Sequence, residues 1–117
     1  MQHGVQQPVS VFEAVAQLAD LPAGSLRAVV LSSGEKVCLV HTVAGVCALA
    51  DRCTHRDFPL SAGEVTAGGL LECAWHGAQF DPATGVMLTG PGGDDAKTYE
   101  VRVTDGTITI ASTSAPI

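Results

Sequence analysis

The stretch that decides the fold has two parts, CTHRDFPLSAG at residues 53–63 and CAWHGAQFDPATG at residues 73–85. Each part opens on a cysteine with a histidine close behind it. The pairs are Cys53 with His55 and Cys73 with His76. Each pair places a thiolate and an imidazole on one short segment, and two such segments brought together offer two sulfur and two nitrogen ligands. This donor set suits zinc or an iron–sulfur centre, so the pattern indicates a metal site.

Two kinds of metal centre are compatible with these ligands. Structural zinc closes tetrahedrally on two cysteines and two histidines, but its usual spacings begin with C-x₂₋₄-C, and C-x-H is an unusual opening for it. A [2Fe–2S] cluster with two cysteines on one iron and two histidines on the other uses the same donors. Ligand spacing by itself leaves both possibilities open.

The residues around the two pairs resemble the ligand loops of Rieske iron–sulfur proteins. Residues 53–63 resemble the first loop, and residues 73–85 resemble the second loop and the turn after it. Gly90-Pro91-Gly92 looks like the proline-containing loop that covers the cluster in that family. The resemblance spans residues 9–111. It implies an all-β Rieske fold, in which an antiparallel β-sandwich base carries an inserted cluster-binding subdomain at about 51–95, within a single domain of residues 1–117.

The resemblance also implies the roles of the ligand residues in holding one [2Fe–2S] cluster. Cys53 and Cys73 would bind the inner iron as thiolates, and His55 and His76 would bind the outer iron through ring nitrogens. Gly77 would let the backbone pass close to the cluster. Four further side chains are expected either to exclude water from the cluster or to serve ordinary loop packing: Phe58, Trp75, Phe80 and Pro91.

Four other positions in the two ligand segments predict a low reduction potential for a Rieske protein. High-potential respiratory members carry a disulfide between the ligand loops, where this chain has Phe58 and Ala74. Those members also have a serine and a tyrosine that donate hydrogen bonds to the cluster or its ligand sulfur, where this chain has Ala78 and Phe80. Because such hydrogen bonds raise the potential, we expect a midpoint near the low end of the range of about −150 to +300 mV.

Composition and charge exclude several classes of partner. The 117 residues fit one domain, and the net charge is −6. Residues 53–95 contain six acids and one base, so −5 of that charge lies in the segment with the ligand pairs. Nucleic acids and anionic membranes both require a basic surface, so neither is expected as a partner. No apolar run approaches about 18 residues, and residues 1–7 lack a secretory signal pattern, so we expect a cytoplasmic protein.

Short β-strands recur outside the ligand segment. The expected strands are residues 9–12, 26–31, 37–41, 46–49, 99–103 and 107–110. Asp105-Gly106 is a hairpin turn signal between the last two. Residues 13–19 have helical propensity, but the segment is short and has no cap.

The remaining cysteines and histidines are not expected to bind metal. With a turn at Ala44-Gly45, Thr42 would lie opposite Cys47, and Cys38 would be about 13 Å from Cys47 along the strand. That is too far for a disulfide, so both are expected to be buried free thiols. His3 lies in the N-terminal tail and His41 at a strand end, with no partner group expected for either.

The function implied by the resemblance is that of a Rieske-type ferredoxin, similar to the ferredoxin components of bacterial aromatic ring-hydroxylating dioxygenase systems. It would be a monomeric electron carrier, not an enzyme. Its partners would be a flavoprotein reductase and a terminal oxygenase, guided by the acidic surface. Two alternatives are a small Rieske subunit of an assimilatory nitrite reductase and a zinc-stabilised binding module.

Overall fold

The computed structural model describes residues 11–53, 59–74, 77–89 and 94–112. Its strands are β1 (Val11–Gln17), β2 (Leu26–Val30), β3 (Lys36–Thr42), β4 (Gly45–Ala50), β5 (Glu64–Val65), β6 (Leu71–Glu72), β7 (Gln79–Phe80), β8 (Met87–Thr89), β9 (Thr98–Tyr99), β10 (Val101–Thr104) and β11 (Thr107–Ser112). Single 3₁₀ turns lie at Leu18–Asp20 and Leu60–Ala62. None of the helical segments in these ranges is long and apolar enough to cross a membrane.

The strands form three antiparallel sheets, which confirms the predicted all-β class. The outer sheet has the order β1-β11-β10, and the central sheet has the order β2-β3-β4-β9. The third sheet, here called the insert sheet, has the order β5-β6-β7-β8. All its strands occur between β4 and β9 in the chain, within the acidic segment. The predicted domain limits themselves stay a prediction.

The central sheet is covered on both faces, as the burial of its strand β3 shows. Val37, Cys38, Leu39 and Val40 are all fully buried. Because successive strand side chains point to opposite faces, a strand enclosed on both sides must be apolar at every position. The run VCLV in the sequence therefore marks the middle layer of the fold.

Each face of the central sheet contributes to its own core. One core joins it to the outer sheet through Val37, Leu39, Ala48, Ile108 and Ile110. The other joins it to the insert sheet through Cys38, Val40, Leu49, Leu71 and Phe80. The insert strands have only two or three residues each and form few ladder hydrogen bonds. Burial of side chains of this size contributes about 1.5–3 kcal/mol each, so packing on the central sheet is the main support of the insert sheet.

Most expected strands are confirmed, and the Asp105-Gly106 hairpin is confirmed in detail. Asp105 and Gly106 both have positive φ, 51° and 79°, as a type I′ turn requires. The expected strand at 99–103 is instead divided at Glu100. Tyr99 pairs with β4 in the central sheet, and Val101 pairs with β11 in the outer sheet. The chain therefore passes from one sheet to the other at this point.

The first strand extends further along the chain than expected. Residues 11 and 12 of the expected strand at 9–12 lie in β1, and this strand continues to Gln17. The segment with helical propensity at 13–19 is therefore mostly strand, followed by a 3₁₀ turn. Residues 9 and 10 lie outside the described ranges. The strand forms because β1 pairs with β11 from the far end of the chain, and this long-range pairing overrides the local helical preference.

The turn between β3 and β4 also differs from the expectation. Thr42 pairs with Gly45, so the turn residues are Val43 and Ala44, and Val40 rather than Thr42 lies opposite Cys47. Cys38 and Cys47 form no disulfide, as expected. Cys38 is fully buried, but Cys47 is only partly buried, so the expectation of burial is wrong for Cys47.

Candidate metal centre

The two predicted cysteine ligands lie in the same core, between the central sheet and the insert sheet. Cys53 is 0% exposed and Cys73 is 1% exposed, and both pack in the cluster that contains Leu60, Ala78 and Phe80. Cys53 lies three positions after the end of β4, and Cys73 directly follows β6. Two loops from different sheets therefore deliver their thiols to one buried region.

The predicted histidine ligands lie outside the described residues. These are His55 and His76. Other residues singled out in the sequence also lie outside the described ranges: His3, Phe58, Trp75 and Gly90-Pro91-Gly92. Within the described ranges, no three His, Cys, Asp or Glu side chains are grouped so that they could hold a metal ion. Of the four predicted ligands, Cys53 and Cys73 are the two that lie among the described residues.

The first ligand loop is closed at its base by Asp51. The Ser61 backbone N–H donates to Asp51 Oδ1 at 2.7 Å, and the Ser61 hydroxyl donates to Asp51 Oδ2 at 2.6 Å. These two bonds join the start of the segment that contains Cys53 to the 3₁₀ turn that ends it. The ends of the loop are thereby held together.

The second ligand segment lies between β6 and β7 and is joined at its two ends. The Cys73 N–H donates to the Ala78 carbonyl at 2.7 Å, which closes the loop directly at the candidate ligand. Gly77 has φ +66°, a left-handed conformation that other residues rarely adopt. The conformation explains why a glycine occupies this position, and the close passage of the backbone to a cluster stays a prediction.

A glycine holds the two ligand loops against each other. Gly63 follows the first loop, and a Cβ at this position would lie 1.9 Å from the Glu72 carbonyl oxygen and 3.2 Å from the Ala74 nitrogen. Glu72 and Ala74 flank Cys73 in the chain. The absence of a side chain at Gly63 therefore sets the approach of the loop that follows Cys53 to the segment that carries Cys73.

The described residues on either side of 90–93 are joined by hydrogen bonds, whereas residues 90–93 themselves lie outside the described ranges. The Met87 N–H donates to Asp95 Oδ1 at 3.0 Å, and the Ala96 N–H donates to the Gly85 carbonyl at 2.7 Å. Gly85 has φ +79°, and a Cβ there would lie 2.1 Å from the Ala96 carbonyl oxygen. These contacts hold residues 95 and 96 against the turn and strand formed by residues 85–87.

The surroundings of the candidate centre are acidic. Glu64 and Glu72 lie directly opposite each other on β5 and β6, although like charges in this position destabilise a sheet. Both carboxylates line a cavity of about 220 Å³ together with Cys73 and Gly77. Their charges disfavour the gain of negative charge on reduction, which lowers the potential of a nearby redox centre.

The two other cysteines do not have the properties of metal ligands. Burial, followed by the charge of Asp51, raises the pKa of the Cys38 thiol to about 12, so this thiol is protonated at neutral pH. Burial, followed by the charge of Asp81, also raises the pKa of Cys47. Metal binding needs the thiolate, so both act as small apolar side chains.

His41 has a structural partner that the sequence did not indicate. Its Nδ1 lies 2.6 Å from the Leu21 carbonyl oxygen, close enough for Nδ1–H to donate a hydrogen bond to that carbonyl. Sequence reasoning also missed the roles of Asp51, Ser61 and Gly63. Each of them is adjacent to a quoted motif or part of it, but their contacts depend on segments that meet only in the folded chain.

The residues present fit a cluster with mixed sulfur and nitrogen ligands. Cys53 and Cys73 are buried together, their loops are closed at the base, and Gly63 leaves no room for a side chain between them. Soft thiolates in a dry, preorganised site suit an iron–sulfur centre.

Comparisons with known proteins agree with this geometry. The model of the Rieske [2Fe-2S] domain family matches residues 11–100. The 3-phenylpropionate/cinnamic acid dioxygenase ferredoxin subunit of Photorhabdus laumondii is 35% identical over 96 residues, which cover 82% of this chain and 90% of that protein. Apoptosis-inducing factor 3 of Homo sapiens is 36% identical over 102 residues, which cover 86% of this chain. The match spans only 16% of the length of that relative.

Solved structures share the fold along nearly the whole chain. A chain in the complex of reduced oxygenase and oxidized ferredoxin in carbazole 1,9a-dioxygenase superposes with a TM-score of 0.81 and 25% identity, covering 92% of this chain and 98% of that one. The putative NADH-dependent nitrite reductase small subunit of Mycobacterium tuberculosis has a TM-score of 0.79 at 23% identity, covering 92% of this chain and 99% of that one. The second likeness concerns the fold alone.

Proposed function

Since the chain belongs to the Rieske [2Fe-2S] domain family, we propose that it carries single electrons from a flavoprotein reductase to a terminal ring-hydroxylating oxygenase. A Rieske domain holds one [2Fe–2S] cluster, which takes up and releases one electron at a time. The observation that carries the proposal is the match along 90% of a dioxygenase ferredoxin subunit, together with the joint burial of Cys53 and Cys73 in one core. Electron transfer is supported for the family members that this chain resembles; the named partners are the proposal.

The proposed ligands are Cys53 and Cys73 on one iron and His55 and His76 on the other. The joint burial of the two cysteines supports the first half, and the C-x-H and C-x-x-H spacings support the second. Burial of the thiols excludes water from the sulfur side of the centre. Electrons would then enter and leave on the histidine side.

Substitution of individual ligands tests this assignment. Cys53→Ala or His76→Ala should abolish the cluster absorbance and the electron paramagnetic resonance signal after dithionite reduction, and loosen residues 51–95, because metal binding and local folding are coupled. Cys47→Ala is the matched control, since Cys47 is a partly buried cysteine in β4 outside this core. Normal cluster absorbance in Cys53→Ala would contradict the assignment.

The surroundings support a low midpoint potential. Ala78 and Phe80 are fully buried beside the two cysteines and have no hydroxyl group to donate to sulfur. The nearby carboxylates act in the same direction. We therefore expect a midpoint toward the lower end of the Rieske range of about −150 to +300 mV, and a titrated value well above about +100 mV would contradict this.

Reconstitution tests the proposed place in electron transfer. The reduced protein should support turnover of a ring-hydroxylating oxygenase when a flavoprotein reductase and a nicotinamide nucleotide are supplied. The fold is also that of a nitrite reductase small subunit, so co-purification with a large sirohaem protein would favour that second function. The zinc-stabilised module is not retained, because the family carries an iron–sulfur cluster.

A further inference from the structure

The carboxylate of Asp51 is fully engaged in closing the first ligand loop. Its two oxygens accept separate hydrogen bonds from Ser61, one from the backbone N–H at 2.7 Å and one from the hydroxyl at 2.6 Å. Hydrogen bonds to an ionised acceptor are about twice as strong as neutral ones, and a two-point contact also fixes orientation. The pair therefore defines both the width and the direction of the loop that begins at Cys53.

Both partners of this contact are attached to rigid parts of the fold. The Asp51 N–H donates to the Lys36 carbonyl at 3.0 Å, so Asp51 is held by the first residue of β3. The preceding N–H, that of Ala50, donates to the Lys97 carbonyl at 2.8 Å. Asp51 is thereby a fixed point on the central sheet, two positions before Cys53.

Ser61 is fixed on the other side of the loop. It lies in a 3₁₀ turn whose first residue, Leu60, is fully buried in the core that contains both cysteines. Two positions later, Gly63 lies against the Glu72 carbonyl next to Cys73. A continuous path of contacts therefore connects the central sheet, Asp51, Ser61 and the segment that carries Cys73.

We propose that Asp51 and Ser61 are a positioning pair that sets the placement of the Cys53 sulfur relative to the Cys73 sulfur, with the charge of Asp51 held at the base of the loop. This inference rests on the proposed cysteine ligands. Neither residue touches the metal; both act through the loop. Loss of the contact would widen the loop and allow the Cys53 thiolate to leave its iron more often.

The charge of Asp51 acts on the same core. Its carboxylate is the second cause, after burial, of the raised pKa of Cys38, which packs in one cluster with Cys53 and Cys73. The charge of Asp51 therefore acts on a thiol that packs in the same core as the candidate ligands. A negative charge near the centre opposes its reduction. We therefore expect the pair to affect the midpoint potential of the centre as well as the retention of its iron.

The test compares Ser61→Ala with Ser61→Thr in the full-length, cluster-loaded protein. Ser61→Ala removes the hydroxyl bond and keeps the charge of Asp51, whereas Ser61→Thr keeps both donors. We expect iron release to a chelator to be about tenfold faster in Ser61→Ala, with altered g-values in the electron paramagnetic resonance spectrum, and release near the wild-type rate in Ser61→Thr. Asp51→Asn removes the charge and leaves one acceptor, so it should also raise the midpoint potential.

The outcomes separate this inference from the proposed function. A wild-type protein without a Rieske spectrum would refute the ligand proposal and this inference with it. A normal wild-type spectrum with equal release rates and g-values in all three variants would refute the positioning pair alone. A lower melting temperature with unchanged spectrum and potential would show a purely structural contact and also overturn it. If circular dichroism shows that Ser61→Ala does not fold, Asp51→Asn provides the test instead. Iron release and a midpoint potential equal to those of the wild type in Asp51→Asn would then refute the positioning pair.

Discussion

Replacement of Gly63 by alanine is the sharpest test of how the two ligand loops are joined. The added Cβ would lie 1.9 Å from the Glu72 carbonyl oxygen, and real Cβ atoms essentially never come closer than 3.0 Å to a neighbour. The obstacle is backbone, so no side-chain rotation relieves it, and the two segments must move apart by more than 1 Å. Overpacking of this kind costs about 3 kcal/mol, and the reduced entropy of the unfolded chain offsets about 0.4–1 kcal/mol.

We therefore expect Gly63→Ala to lower the free energy of unfolding by about 2–3 kcal/mol, measured by urea titration. The same displacement should separate the segments that carry Cys53 and Cys73, so the purified variant should contain substoichiometric iron. Gly68→Ala is the matched control, because its nearest neighbour would be Thr66 Oγ1 at 3.8 Å, an ordinary contact. Equal stability and equal iron content in the two variants would refute the close-approach argument.

Three further predictions concern redox tuning, docking and stability. Ala78→Ser adds a hydroxyl in the core beside the cysteines and should raise the midpoint potential. The rise should be on the order of 40 mV if the new hydrogen bond stabilises the reduced state by about 1 kcal/mol more than the oxidised state. An unchanged midpoint in a redox titration would exclude donation from this hydroxyl to the cluster. Electron transfer to a basic partner should slow as salt is added, because the carboxylates are screened, and stopped-flow rates independent of ionic strength would refute steering. Hydrogen bonds from Lys97 and Tyr99 hold the pKa of Glu35 below its ordinary value of 4.5. Its contribution is therefore present above that value and lost as the pH falls through the lowered pKa, so urea unfolding of Glu35→Gln should differ from wild type at pH 7 and converge with it in acid.

The strands were predictable where their signal is local. The type I′ turn at Asp105-Gly106 needs two adjacent residues that tolerate positive φ, and such a pair is readable directly from the sequence. The pairing of β1 with β11 was not predictable, because it joins residues that are 90 to 101 positions apart, from Gln17 with Thr107 to Val11 with Ser112. The helical propensity of residues 13–19 is a weak local preference, and the long-range ladder outweighs it.

The register of the β3–β4 hairpin shows a second limit. The sequence-based expectation placed the turn at Ala44-Gly45 because of the glycine, but the turn residues are Val43 and Ala44. Gly45 is instead the first residue of β4, and its φ is +127°. Val43 is fully exposed at the tip. The burial of Cys38, Val40 and Leu49 on the face toward the insert sheet selects the register, and only the packed sheets reveal that face.

The sequence by itself indicated the family, the acidic segment and the candidate ligand pairs, because the spacing of thiol and imidazole side chains is a local chemical pattern that only a few kinds of metal centre satisfy. Tertiary structure alone decided that Cys53 and Cys73 share one core while Cys38 is a protonated thiol in the same core. It also decided the contacts of Asp51 with Ser61 and of Gly63 with Glu72. The physical reason is that burial, close approach and hydrogen-bond geometry arise between segments distant in the chain, and no local pattern encodes the distance at which they meet.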